Sequence, residues 1–138
     1  MIGGWMSFAG VDGRARYHHT AVEDVLPVTC HPYDDRRETP EGVVPSITDS
    51  HHPILQGVDP DWPFFLGYNQ VIPKQNALTL LQFEADPLLC LWECGNGRSA
   101  AFTSDCAPHW GPQDFLEWEG YPIFWSNLVK WLSKEEQK

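Results

Sequence analysis

The stretch PLLCLWECGNGRSAAFTSD, residues 87–105, constrains the fold more than any other part of the chain. Two strand-like runs flank a Gly-Asn-Gly turn, a pattern that specifies an antiparallel hairpin. Just upstream, ALTLLQF (residues 77–83) is apolar enough for a buried strand. Downstream, Tyr121, Phe124, Trp125, Leu128, Val129 and Leu132 recur at i, i+3, i+4, i+7, i+8 and i+11. That is one apolar helical stripe, and Pro122 suits its first turn, where a missing N–H costs nothing. Buried strands closed by an amphipathic helix predict an α/β domain with helices packed on a sheet.

Elsewhere the elements are short, because 12 Pro and 11 Gly residues punctuate the chain. GRARYHHT (residues 13–20) reads as a polar surface loop. Ala21–Val25 reads as a short helical turn stopped before Pro27. CHPYDDRRETPEG (residues 30–42) is charged and Pro-containing, a loop or an edge excursion. The run from Val43 to Gly57 reads as a short strand and a one-turn helix, with Asp49 or Ser50 as its cap. A further strand is expected near Leu66–Ile72.

The opening MIGGWMSFAG places a Gly-Gly bend after only two apolar residues, a sharp strand-to-loop turn with close backbone approach. A two-residue strand is too short for a core strand. With only three or four strands recognisable elsewhere, Met1 is expected to lie within a strand of a larger domain whose N-terminal half precedes it.

A length of 138 residues with 42% hydrophobic content suits one domain with a core. The net charge of −10 disfavours nucleic acid and anionic membrane surfaces as partners. No apolar run approaches the roughly 18 residues that would span a bilayer, and Met1 is not followed by a secretory signal pattern. A cytoplasmic location is expected. On a strand, Cys90 and Cys94 would stand about 13 Å apart, too far for a disulfide or one shared metal. Cys30 and Cys106 are isolated in sequence and no CxxC occurs, so reduced, mostly buried thiols are expected, with no metal and no cofactor.

Three stretches carry a family resemblance in compatible order. They are IGGWMSFAGVDGRARYHHTAVEDVLPV, then HPILQGVDPDWPFFLGYNQV, then GNGRSAAFTSDCAPHWGPQDFLEWEGY. Together they resemble the glutamine amidotransferase-like family of the class I amidotransferase-like superfamily, close to the trehalose-utilisation (ThuA-like) proteins. The resemblance runs from Ile2 to about Leu132. It implies a flavodoxin-like doubly wound sheet and a chain matching the C-terminal half to two-thirds of a longer member. Superfamily glutaminases use a Cys on a strand-to-helix elbow and a His followed two residues later by Glu. Here the elbow-like MIGGWMSFAG has no Cys, Ser7 is its only hydroxyl, and His109 is followed by Gly111 at the matching offset. A thiolate to attack the amide and a carboxylate to orient the imidazole are both missing, which argues against glutaminase activity.

Residues 103–112, TSDCAPHWGP, hold the candidate chemistry. In one reading Cys106 is a nucleophile, His109 its base, and Asp105 or Asp114 the orienting carboxylate. In the other, Asp105 and Ser104 satisfy free N–H groups after the strand, Cys106 packs inside, and Pro108 and Pro112 fix the turn. Ligand contacts are expected from Gly3, Gly4 and Ser7 at the bend. Arg16, Tyr17 and His18 are expected to hold an anionic or sugar-like group, unless they only form a solvated loop paired with Glu23 or Asp24. His51 and His52 fit a helix start better than a metal site. Asp114, Glu117 and Glu119 around Trp118 could form a sugar platform, although Trp110, Trp118 and Tyr121 fit a core lid better.

Three functions remain open on these residues. The first is an amidotransferase-like domain binding a small polar metabolite, a sugar or sugar acid among the candidates. The second is a Cys-dependent hydrolase using Cys106 and His109. The third is a non-catalytic assembly domain whose aromatic surface builds a homo-oligomer.

Overall fold

The computed structural model describes residues 1–135. In chain order a 3₁₀ turn at Val11–Gly13 comes first, then α1 (Ala21–Val25), β1 (Val28–Thr29), β2 (Arg36–Val43) and β3 (Ser46–Ile47). A second 3₁₀ turn at Pro53–Leu55 precedes β4 (Phe65–Asn69) and β5 (Ile72–Pro73). The C-terminal part holds β6 (Leu78–Phe83), β7 (Asp86–Cys94), β8 (Gly97–Phe102), α2 (Gln113–Leu116) and α3 (Gly120–Ser133).

The apolar runs pair as the turn chemistry demands. β7 and β8 form the expected antiparallel hairpin with Cys94 opposite Gly97 and Leu89 opposite Phe102. β6 pairs antiparallel with β7, and β3 with β6, giving a four-stranded sheet in the order β3-β6-β7-β8. Alternation along β7 splits the interior into two layers. Leu89 and Leu91 face a large core with Phe65, Phe83, Phe102, Phe115 and Phe124, while Cys90 between them faces a smaller one with Phe8, Leu26, Val28 and Val71. Both faces of the sheet are therefore covered, as an α/β layer arrangement requires.

All pairs between these strands are antiparallel, and among the described residues the one parallel contact is the bridge between Ile2 and Phe102. There Met1 N donates to Ala100 O at 2.7 Å, Phe102 N to Met1 O at 3.0 Å, and Gly3 N to Phe102 O at 2.7 Å. The opening residues thus run alongside β8 in the same direction, and both end at one edge of the sheet.

Several sequence expectations need correction. CHPYDDRRETPEG, read as a loop or an edge excursion, is a loop only over residues 30–35: residues 36–42 lie in β2, paired with β4 in a separate two-stranded ribbon. Its charged residues are tolerated because most of the ribbon is at least partly exposed, as on an edge strand. The strand expected over Leu66–Ile72 splits into β4 and β5, which pair with different partners. The second 3₁₀ turn is capped by His52, whose Nδ1 accepts from Ile54 N at 3.3 Å, while Asp49 accepts instead from His51 N. On α3 the buried face is Phe124, Leu128 and Trp131, whereas Val129 is 62% exposed. Trp131 at the i+7 position from Phe124 rotates the stripe away from Val129.

Candidate functional site

The strand ends at Gly3 and Phe102 open on one corner, and a buried polar network shapes it. After Gly3 the chain turns through Gly4, whose φ of +147° lies outside the range L-residues favour. A Cβ on Gly3 would collide with the Thr103 carbonyl, so only glycine lets the two strand ends approach this closely. Asn69, at the end of β4 and fully buried, holds the turn. Its Oδ1 accepts from Gly4 N at 2.9 Å, and its Nδ2 donates to Gly4 O at 3.0 Å and to Ser7 O at 3.4 Å. The same Nδ2 donates to the Asp35 carboxylate at 2.8 Å. Asp35, 2% exposed, also accepts from Ala9 N at 2.9 Å and Gly10 N at 3.0 Å. Burial pushes the Asp35 carboxyl above its ordinary value, against the pull of these donors. Phe8 in the same loop is wholly buried with φ +53°. A left-handed Phe persists only where its surroundings over-determine it.

The opposite wall is the segment after β8. Thr103 Oγ1 donates to Pro87 O and Ser104 Oγ to Gly67 O, each at 2.7 Å, which ties off the strand. Asp105 follows. Its Oδ2 lies 3.6 Å from the position a Gly4 Cβ would take, and Ser7 Oγ lies 3.8 Å from the same point. His109 Nδ1 is 3.7 Å from Asp105 Oδ2, too long for a hydrogen bond of good geometry but close enough for charge to matter. Burial pushes the Asp105 carboxyl up, while His109 and the backbone N–H groups of Ala107 and Cys106 pull it down. His109 holds a φ of +130°, and its ring meets Trp5 edge-on with centroids 5.1 Å apart.

Two tryptophans lock this corner to the ribbon. Trp5 Nε1 donates to Glu38 Oε1 at 3.2 Å, and Trp110 Nε1 to Glu38 Oε2 at 3.0 Å. Arg36, ion-paired with Asp34 at 2.8 Å, lies over the Trp5 ring at 4.5 Å. Trp110 is buried, while Trp5 is 45% exposed and forms part of the accessible wall.

The structure therefore brings Gly3, Gly4, Ser7, Asp105 and His109 to one corner. Cys106 is half-buried beside them, its carbonyl accepting from Tyr121 Oη at 2.7 Å. Among the described residues no hydrogen bond joins Cys106 to His109. Arg16 and His18 line a different hollow, with Gly13, His31 and Pro32. Tyr17 packs against the smaller core, and His18 Nδ1 faces Glu23 Oε2 at 3.2 Å. Trp118 packs on Trp62 with centroids 4.8 Å apart, at the rim of the large core. Among the described residues, no group of three or more His, Cys, Asp or Glu is placed to hold a metal ion. No described helix is long and apolar enough to cross a membrane.

A family model described as "Putative glutamine amidotransferase" matches residues 1–134. The chain belongs to this family. Two solved structures are similar to this amidotransferase-like chain. The cytoplasmic protein STM3548 from Salmonella typhimurium is 41% identical with a TM-score of 0.91, covering 96% of this chain and 53% of its own. The cytoplasmic protein STM1381 from Salmonella typhimurium LT2 is 42% identical with the same TM-score, covering 96% of this chain and 54% of its own. The chain thus spans about half the length of the solved structures it matches. No match is found among curated proteins.

For this amidotransferase-like chain, the residues that build the corner but escaped the sequence reading are Asp35, Asn69, Glu38 and Trp5. Asp35 sits within a run of charge and Asn69 at a strand end, and neither position signals burial. Their partners lie 25 to 65 residues away along the chain, so no local pattern marks them.

Proposed function

We propose that this amidotransferase-like domain binds a small polar metabolite at the corner where Gly4, Ser7, Asp105 and His109 meet, and does not hydrolyse glutamine. The observation that carries the reading is the parallel bridge between Ile2 and Phe102, which brings two strand ends to one edge. In doubly wound sheets, ligands sit beyond the C-terminal ends of strands. The bridge also supports a flavodoxin-like sheet, and the match to two proteins described as cytoplasmic supports that location.

The chemistry on offer is recognition. Ser7 Oγ has no hydrogen-bond partner among the described residues and can donate or accept. Asp105 accepts, and His109 can do either according to its tautomer. Trp5 supplies an apolar wall, which suits a polyol or amino-acid-like ligand with one flat or aliphatic face. Glutaminase chemistry needs a thiolate on the elbow, and residues 1–10 contain none.

The test is a titration with glutamine, glutamate and a panel of monosaccharides and sugar acids, read by tryptophan fluorescence. A saturable change that Asp105→Asn combined with His109→Gln abolishes is expected, with ammonia release from glutamine at background. A response that survives in the double variant would move the site elsewhere. Steady ammonia release would overturn the non-hydrolytic assignment.

A second reading keeps Cys106 as a hydrolytic nucleophile, because its thiol is the accessible one nearest His109 in sequence. Alkylation by iodoacetamide at pH 6 and pH 9 separates the two. A nucleophile labels rapidly at both, whereas an ordinary thiol labels only at the higher pH.

A further inference from the structure

The hollow lined by Gly13, Arg16, His18, His31 and Pro32 is separate from the strand-end corner and takes no part in the function proposed for it. We propose that this hollow binds the oxyanion head, carboxylate or phosphate, of a small metabolite, gripped by Arg16 with His18 and His31.

Charge makes the hollow unusual. Asp and Glu outnumber Lys and Arg by 19 to 9 across the chain, yet the lining has one arginine, two histidines and no acidic side chain. Arg16 is also the exception among the arginines. Arg14 pairs with Asp12 at 3.4 Å, Arg36 with Asp34 at 2.8 Å, and Arg98 with Glu93 at 3.3 Å. Arg37 donates to Gln70 at 2.8 Å. Among the described residues Arg16 alone has no partner, so its five N–H donors are unspent within the protein.

The Arg16 backbone and the two imidazole rings are also set in advance. Arg16 holds a φ of +61°, unfavourable for a residue with a Cβ. It is fixed there by its neighbours: Ala15 N donates to Ala9 O at 2.9 Å and Tyr17 N to Phe8 O at 3.2 Å. His18 turns Nδ1 to Glu23 and stacks on His19 with centroids 3.7 Å apart, so Nε2 is its uncommitted nitrogen. His31 stacks on Tyr33 at 4.8 Å. The nearby Glu23 carboxylate opposes an anion least where its charge is already engaged, and it accepts from Cys30 N at 2.8 Å and His19 N at 3.2 Å. Preset donors bind with less entropy loss than donors that must be ordered by the ligand. A volume of about 190 Å³ suits a small head group with water.

The test titrates sodium phosphate, and separately sodium acetate, at constant ionic strength while the ring nitrogens of His18 and His31 are followed by NMR. Saturable shifts of both rings with at least one anion are expected, and the anion that saturates first assigns the head group. Arg16→Gly removes the guanidinium while suiting the left-handed backbone, so the variant should melt at or above the parent temperature. It should bind about tenfold more weakly or worse, as loss of a charge-assisted contact implies. Arg14→Ala makes the same change in net charge two residues away and should leave the affinity unchanged. No saturable shift with either anion, or an equal loss in Arg14→Ala, overturns the proposal. Neither result depends on whether the Asp105–His109 corner binds anything.

Discussion

The two regions that meet at the end of β8 are held together by opposite means. Under α3 the interior is aromatic: Phe102, Phe115, Phe124 and Trp62 contact one another, with Phe102 and Phe124 centroids 5.8 Å apart. At the corner the strand-end loop is held by directed bonds from two buried polar side chains, Asp35 and Asn69. Phe102 belongs to both, its side chain in the core and its backbone bonded to Met1 and Gly3. Apolar packing is tolerant and additive, whereas a buried polar network is all or nothing. The first region should set global stability and the second the shape of the site.

Cutting the core should give the largest effect. Phe124→Ala removes a wholly buried ring and should lower the unfolding free energy by about 3–5 kcal/mol, read as a shift in urea midpoint. The folded fraction should still bind at the corner with unchanged affinity. Asn69→Leu comes next, at about 2–4 kcal/mol, because it leaves the buried Asp35 carboxylate with only the Ala9 and Gly10 N–H donors and the Gly4 N–H without its acceptor. Its distinguishing mark is local: amide exchange over residues 4–10 should rise far more than in Phe124→Ala. Equal exchange in the two variants would mean that the loop is held by the apolar core and not by the polar pair.

The same division explains what could be read from the sequence. The β7–β8 hairpin, α1 at Ala21–Val25 and the closing helix were legible because turn chemistry and apolar period are local signals. β2 was not, since its charges serve an exposed ribbon and its strand character comes only from pairing with β4. Val129 fits the helical stripe by spacing and is still exposed, because Trp131 occupies the face that meets the sheet. For the corner, Gly3, Gly4, Ser7, Asp105 and His109 follow from the bend and the strand-end motif. The buried carboxylate and amide that position them do not, because a buried Asp looks like any other Asp until the fold surrounds it.

Acid should set the corner apart from the α1 turn, with a smaller effect. Burial alone would raise the Glu23 carboxyl, but the N–H groups of Cys30 and His19 and the His18 ring outweigh it and hold the group below its ordinary 4.5. A lowered carboxyl contributes stability that is present above the unfolded value and lost as pH falls through the folded one. Asp35 and Asp105 have the opposite sign, because burial raises them and their contribution is lost as pH rises. The urea midpoint of the parent should therefore fall below about pH 4.5, and Glu23→Gln should flatten that fall. An identical acid limb in Glu23→Gln would assign acid sensitivity to other carboxylates.

Asp105→Asn should change stability least and function most. Its carboxyl is raised by burial, so the charged form present at neutral pH is the one the fold disfavours, and a neutral amide escapes that penalty. Against this, Asn is a weaker acceptor for the N–H groups of Cys106 and Ala107 and loses the charge that His109 favours. The two effects should leave the unfolding free energy within about 0.5 kcal/mol of the parent, while ligand affinity at the corner falls at least tenfold. A loss above about 1 kcal/mol with affinity intact would show the reverse. Asp105 would then serve to tie off β8, and His109 would sit at a strained backbone position for the sake of the turn rather than of a ligand.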